Sequence, residues 1–473
     1  MPMSATTIAL ARFGLGARPD EEPPADPKAW LAAQLGRYEP DPPALAAAPD
    51  RAQLTAKLAD YVRRIRGMSE GEDASPDLEA SVMRFIRTTQ RTAYLDALGA
   101  RTEAALVTPA PFVERLVHFW ANHFAVSADK LQTIGLAGLL ELEAVRANVL
   151  GRFGDMLLAV ERHPAMLLYL DQAQSIGPGS RVGRFAARRR RRGAGQGGLN
   201  ENLAREILEL HTLGVRTVYT QADVTELARA MTGWTVGGFV RGPLARIIGA
   251  AGAPGEFVFA EPMHEPGRRT VLGKSYGQKG EAQARAILAD LAVHPATAKH
   301  VATKLARHFV ADAPPPALVT KLERAFLSSG GDLPTVYRAL IEAPEAWQPE
   351  ARKFKAPWDW AVSALRGVGS RELPNAIVAG ALAELGQPPW RPGSPAGWDD
   401  SQASWAGPDA LVRRVEVAEK IAARAGDFFD PRRLAERLLP GSVSPGTAQA
   451  IARADSPPQG IALLLVSPEF QRR

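Results

Sequence analysis

Apolar residues return every three to four positions through most of the chain, the period at which one face of a helix meets a core. Over residues 50–68, 78–106, 114–124, 138–150 and 153–171 the pattern predicts helices, and it resumes over 294–311, 318–327, 357–367 and from Pro408 onward. X-Pro steps at His163-Pro164, His294-Pro295, Ala343-Pro344 and Ser467-Pro468 mark helix starts, because proline is tolerated at the first helical position. They follow no fixed period, which argues against a solenoid. Only Phe257 to Phe259 and Thr270 to Leu272 have strand character, and together they predict one small hairpin. The expected fold is mainly α: a large multi-helix body with a small β hairpin and a basic Gly/Arg-rich loop. Its divisions are expected at residues 1–76, an N-terminal helical arm; 77–370, a central helical body; and 371–473, a C-terminal helical region with a Trp-rich loop.

The chain is organised around Gly198 to Trp234, which reads as two polar-faced helices behind the basic loop. Asn200 is placed to cap the first, its side-chain oxygen taking the N–H of Asn202 or Leu203. At helical spacing Asn202, Glu206 and Glu209 share one face, and Leu203, Ile207, Leu210 and His211 the other. Thr220 followed by Asp223 is a capping box for the second helix, which carries Glu226 and Arg229. Before this stretch, residues 172–198 hold five consecutive arginines and many glycines with little apolar content, so a mobile loop is expected. Between Leu385 and Pro408, Trp390, Trp398 and Trp405 stand among Gly, Pro and Asp in a long loop that either packs over the core or covers a ligand.

Several stretches carry a resemblance. They are ARFGLGARP (11–19), ERLVHFWANHFAVS (114–127), HPAMLLYLDQAQSIGP (163–178), Gly198 to Trp234, HEPGRRTVLGKSY (264–276) and HPATAKHVATKLARHFVAD (294–312). Jointly they resemble the family catalogued as domain of unknown function 1800, found in large bacterial proteins, across nearly the whole chain. The resemblance implies no catalytic residues. Arg216-Thr217-Val218 stands where an Asp-Gly-Gly turn is expected of that family. It also implies a functional link to sulfatase-like proteins of the domain of unknown function 1501 family, encoded nearby and commonly carrying export signals.

Composition narrows the chemistry. Apolar residues make up 46% and charged residues 23%, ordinary for a globular protein, and no apolar run is long enough for a membrane helix. The N-terminus lacks a long apolar core and a cleavage site, so a soluble cytoplasmic protein is expected. The formal charge is +6, but Arg188 to Arg192 hold five positive charges in one place, so a general nucleic-acid surface is not indicated. With no cysteine, disulfides, thiolate metal ligands and thiol nucleophiles are excluded. There is no nucleophile elbow, Walker loop or dinucleotide fingerprint.

The remaining candidates are imidazoles and carboxylates. Glu206, Glu209, His123 and His163 are the catalytic candidates, Glu206 and Glu209 as an acid and base pair whose plain alternative is a salt-bridge ladder with Arg205 and Arg229. His123, His163, Glu206 and Glu226 are candidate ligands of a divalent metal, although no HExxH spacing supports them. His163 has a plain role as a helix cap, and His211 as a satisfied core residue. Arg188, Arg189, Arg190, Arg191 and Arg192, with Asn200 and Asn202 at a helix start, are expected to bind an anionic small molecule or polymer. The expected function is a hydrolytic or metal-assisted enzyme acting on an anionic substrate, the alternative being a non-enzymatic accessory protein of a sulfatase-like neighbour.

Overall fold

The computed structural model describes residues 2–69, 76–190, 198–239 and 252–473. Most of the chain is helical, 62% against 4% strand, as the apolar period predicts. Helix starts follow the proline grammar: His163 and His294 each precede a proline at the first helical turn, and each turns Nδ1 back onto a backbone N–H, of Ala165 (3.2 Å) and Ala296 (3.1 Å). Asp26, Asp332, Asp430, Ser444, Ser456 and Ser467 cap other helices in the same way.

One continuous core of buried apolar side chains runs from Met3 to Phe470. The N-terminal segment is knitted into it rather than laid upon it. Arg12, almost fully buried, donates to the carbonyls of Ala346, Gln348 and Glu350, while Ser4 and Thr7 donate to the carbonyl of Pro440. A minor cluster of Ile176, Val182, Ala260 and Met263 seats the Arg181–Arg190 helix.

Two expectations need correction. The strand segments do not pair with each other: β1 (Trp234–Val236) pairs antiparallel with β2 (Phe257–Phe259), and β3 (Arg269–Val271) with β4 (Lys274–Tyr276). The second pair is closed by Leu272 and Gly273, both at positive φ (51° and 75°), as a two-residue hairpin turn of matching twist requires. The turn is held from outside, since the Leu272 N–H donates to Asp223 Oδ1 at 2.7 Å. The basic segment is also more ordered than its composition suggests. Gln172–Gln174 forms a short helical turn and Arg181–Arg190 a helix, started by Ser180 Oγ accepting the Gly183 N–H and anchored by buried Val182. Arg191 and Arg192 lie outside the described residues, as does most of the acidic loop expected at 69–76. Among the described residues no helix is long and apolar enough to cross a membrane.

Candidate functional site

Four helices and one loop enclose a cavity of about 480 Å³. The helices are α1 (Arg91–Val107), α2 (Pro111–His123), α3 (Pro295–Phe309) and α4 (Pro357–Gly367). The loop is the tryptophan segment. Its backbone is fastened to α2 by a reciprocal pair, Asn122 Nδ2 donating to the Trp398 carbonyl (2.9 Å) and the Trp398 N–H to Asn122 Oδ1 (2.7 Å). Gly397, at φ +79°, is needed there, because a Cβ would stand 2.3 Å from the Asn122 carbonyl. Tyr94 and the Ala128 N–H bond the carbonyls of Pro389 and Trp390, and Arg391 pairs with Asp129. Trp390 and Trp405 are buried, with indole N–H groups donating to Glu141 Oε2 and the Asp399 carbonyl, whereas Trp398 is half-buried and faces the cavity.

One wall centres on Arg101. Its Nε donates to Glu141 Oε1 at 2.9 Å, and its guanidinium lies 3.9 Å from the Trp358 ring centroid and 5.4 Å from that of Trp390. Glu141 is held by both Arg101 and Trp390, so the guanidinium is fixed in plane and stacked on aromatic faces, while neither Nη group has a hydrogen-bond acceptor among the described residues. A planar cation with its outer edge open is suited to a carboxylate or phosphate.

The opposite wall is a stripe along α3. His300, Thr303, Lys304, Arg307 and His308 all line the cavity, at spacings that put them on one helical face. His308 is committed: Nδ1 donates to Asp400 Oδ2 (2.9 Å) and Nε2 accepts from Arg115 Nε (3.3 Å). Lys304 makes no ion pair and no hydrogen bond among the described residues. Burial lowers its pKa to about 8, an effect that Asp400 opposes and neighbouring Arg307 adds to.

Two of the carboxylates at the cavity are already neutralised. Asp359 is paired with Arg115 (2.8 Å) and Arg473 (2.9 Å), and Asp400 with His308, Lys353 (3.3 Å) and Arg473 (3.6 Å). Burial alone would raise the Asp359 pKa, but Arg115, with His308 and His118, outweighs it and holds the carboxyl below its ordinary value. Of the charged groups lining the cavity, Lys304, Arg307 and Asp399 have no ion-pair partner among the described residues, Asp399 accepting instead from Ser401 and Ser404.

His123 and His300 are set by the end of the helix at Asn202–His211. That helix ends in a wide π turn, Ile207–His211, which leaves the last carbonyls without helical partners. The Leu210 and His211 carbonyls instead accept Nε2–H from His300 (3.0 Å) and His123 (3.1 Å). Both imidazoles thus carry their proton on Nε2 and keep a lone pair on Nδ1, which in His123 is buried without a partner. Burial holds both neutral, His300 at about 4 and His123 well below its ordinary value. His118 is arranged similarly, its Nδ1 accepting from Trp358 Nε1 at 3.0 Å.

The model of the family described as a protein of unknown function (DUF1800) matches residues 8–472. The chain belongs to the DUF1800 family. No curated protein and no solved structure matches this DUF1800 chain.

Of the described catalytic, metal and anion candidates named from sequence, His123 alone lines the cavity of this DUF1800 protein, together with Trp390 and Trp398 of the tryptophan loop. Glu206 and Glu209 sit half-buried on the Asn202–His211 helix outside it; Glu209 lies 3.7 Å from Arg205, and burial raises the Glu206 pKa. Glu226 is paired with Arg229 (2.6 Å) and Arg269 (3.4 Å), within the helix started by the expected Thr220/Asp223 capping box. His163 caps its helix and turns Nε2 to Glu143 (3.3 Å) in a separate cleft. His211 is fully buried on Glu161 at 2.7 Å. Among the described residues no group of three His, Asp or Glu side chains is placed to hold a metal ion.

Of the expected anion donors, Asn200, Asn202 and the Arg188 side chain fall within the described residues. Asn200 Oδ1 accepts the Asn202 N–H (2.8 Å) while its Nδ2 donates to the Leu170 carbonyl (3.0 Å), so the cap expected from sequence is present and fills the helix start. Arg188 is exposed on the Arg181–Arg190 helix, and Arg189 and Arg190 lie in its last turn. Sequence reading missed Arg101, Trp358 and the α3 stripe. The stripe had a visible signal, since 300, 304, 307 and 308 are basic at helical spacing. Arg101 had none.

Proposed function

We propose that this DUF1800 protein binds a compact organic anion in the cavity, between the stacked Arg101 guanidinium and Lys304. The observation that carries the reading is that Arg101 is held in plane by Glu141 and by two tryptophans with its Nη groups unspent. Arg12, by contrast, spends both Nη groups on three backbone carbonyls. Lys304 supplies a second positive group on the facing wall, and Trp398 an apolar surface for the ligand's carbon skeleton. The anionic substrate expected from sequence is thus assigned to this cavity and not to the arginine run. Hydrolytic or metal-assisted chemistry gains no support, because Glu206, Glu209, His123 and His163 do not converge on one cavity.

Calorimetric titration of the full chain with acetate, malonate, succinate, benzoate and methyl phosphate tests the reading, with Arg101→Lys and Lys304→Met as variants. At least one anion should bind with one-to-one stoichiometry, and both variants should weaken it. Arg101→Lys keeps the charge but loses the planar fork, so its loss separates shape from charge. If no anion binds, or both variants bind like wild type, the proposal fails.

A further inference from the structure

The α3 stripe has a property that anion binding alone leaves unused. An amine kept only as a countercharge is best served by a carboxylate or hydrogen-bond acceptors that hold it protonated. Lys304 has no ion pair and no hydrogen bond among the described residues; Asp400 favours its charged form only from beyond contact, and Arg307, one turn further along the same helix, opposes it. The groups around it are proton acceptors: His300, one turn back on α3, and His123 on α2 each have Nε2–H committed to a backbone carbonyl and a lone pair on Nδ1. His123 Nδ1 is buried, unpartnered and at the wall of the same cavity. A desolvated lysine beside a second cation and neutral imidazoles is the arrangement that makes an amine nucleophilic. The lowering of Lys304 to about 8 by burial agrees with this geometry.

We propose that Lys304 is an imine-forming nucleophile for a small oxo acid, whose carboxylate is held by Arg101 while its carbonyl carbon meets Lys304 Nζ. The inference rests on the anion-binding reading and adds a chemical class to it. In the step, the free Nζ lone pair forms a bond to the carbonyl carbon and the carbonyl π pair moves onto oxygen, which takes up a proton. An imidazole Nδ1 removes a proton from the new ammonium nitrogen and returns it to the hydroxyl, which leaves as water when the C–O bond breaks. Amine, carbonyl and the one proton taken up by oxygen thus become a protonated imine and one water, with no oxidant or reductant.

The test incubates the full chain with pyruvate or 2-oxoglutarate and sodium cyanoborohydride, followed by intact mass and peptide mapping. Lactate, which keeps the carboxylate but lacks the carbonyl, is titrated by calorimetry in parallel. One adduct should form, on Lys304; it should be absent in Lys304→Arg and at least tenfold slower in Arg101→Met, with thermal melts confirming that both variants fold. Lys355 is the internal control, because burial lowers it to about 7 yet it does not line the cavity. An adduct on Lys355 or on exposed lysines, with Lys304 unmodified, overturns the imine. If Lys304 is unmodified and lactate binds, the imine falls and the anion site stands; if lactate fails as well, both fall.

Discussion

Replacing Arg146 by methionine tests how the wall of the cavity is held. Glu114 and Arg146 are 0% and 1% exposed and meet at 2.6 Å, anchoring α2, which carries His118, Asn122 and His123. Burial by itself would raise the Glu114 pKa, but Arg146 and His118 together outweigh it and hold the group from 4.5 down to about 2. At about 1.4 kcal/mol per pKa unit, a shift of that size corresponds to ~3 kcal/mol. The cost of breaking a buried pair by removing one partner is also ~3–5 kcal/mol. Arg146→Met should therefore lower unfolding free energy by about 3 kcal/mol at pH 7, read from urea denaturation followed by tryptophan fluorescence. Glu114→Leu with Arg146→Met should recover most of the loss, because apolar side chains replace the whole pair. The sign with pH follows from the depressed folded value: the pair's contribution is complete above 4.5 and is lost as pH falls toward 2, so the deficit should shrink over that window. A deficit below ~1 kcal/mol at pH 7, the ordinary range for an exposed ion pair, would refute the reasoning. So would a double variant no more stable than the single one.

Lys304→Met should weaken the bound anion by ~1.5–3 kcal/mol, the worth of a charge-assisted hydrogen bond, or roughly 10- to 150-fold, and leave thermal stability unchanged or higher; calorimetry showing less than a threefold change would count against it. Affinity should hold below pH 8 and decline above it as Lys304 loses its proton, whereas Lys304→Arg should bind equally across pH 7–10. His118, His123, His163, His264 and His300 are all kept neutral by burial below their ordinary value, so the unfolded chain binds protons first on acidification. Folded stability should be full above pH 6.5 and fall toward pH 4, with His300→Gln flattening the lower part; a urea midpoint unchanged from pH 7 to 5 would contradict this. Arg216, exposed and at φ 55°, holds a left-handed conformation, so Arg216→Asn should stabilise by about 1 kcal/mol, and a lowered melting temperature would show that its side chain matters.

The helical class, the proline-led helix starts, the Thr220/Asp223 capping box and the Asn200 cap were legible in the sequence because each depends on residues within a few positions of one another. The α3 basic stripe was legible in the same sense, as a periodicity. Pairing was not: Phe257 to Phe259 carries its strand character openly, but its partner, Trp234 to Val236, begins at the last residue of the stretch that reads as two helices. The cavity was even less accessible. Glu206 and Glu209 look like chemistry because carboxylates one turn apart are conspicuous in a sequence. What their helix contributes is its last two carbonyls, which fix the protons of His123 and His300. Arg101 acquires its setting only when Glu141, Trp358 and Trp390, from three distant segments, close on it, and Lys304 its desolvation only when the cavity wall packs around it. Local hydrogen bonding and helical period are written along the chain; desolvation and the balance of charge in a cavity exist only after packing has chosen which side chains exclude water together.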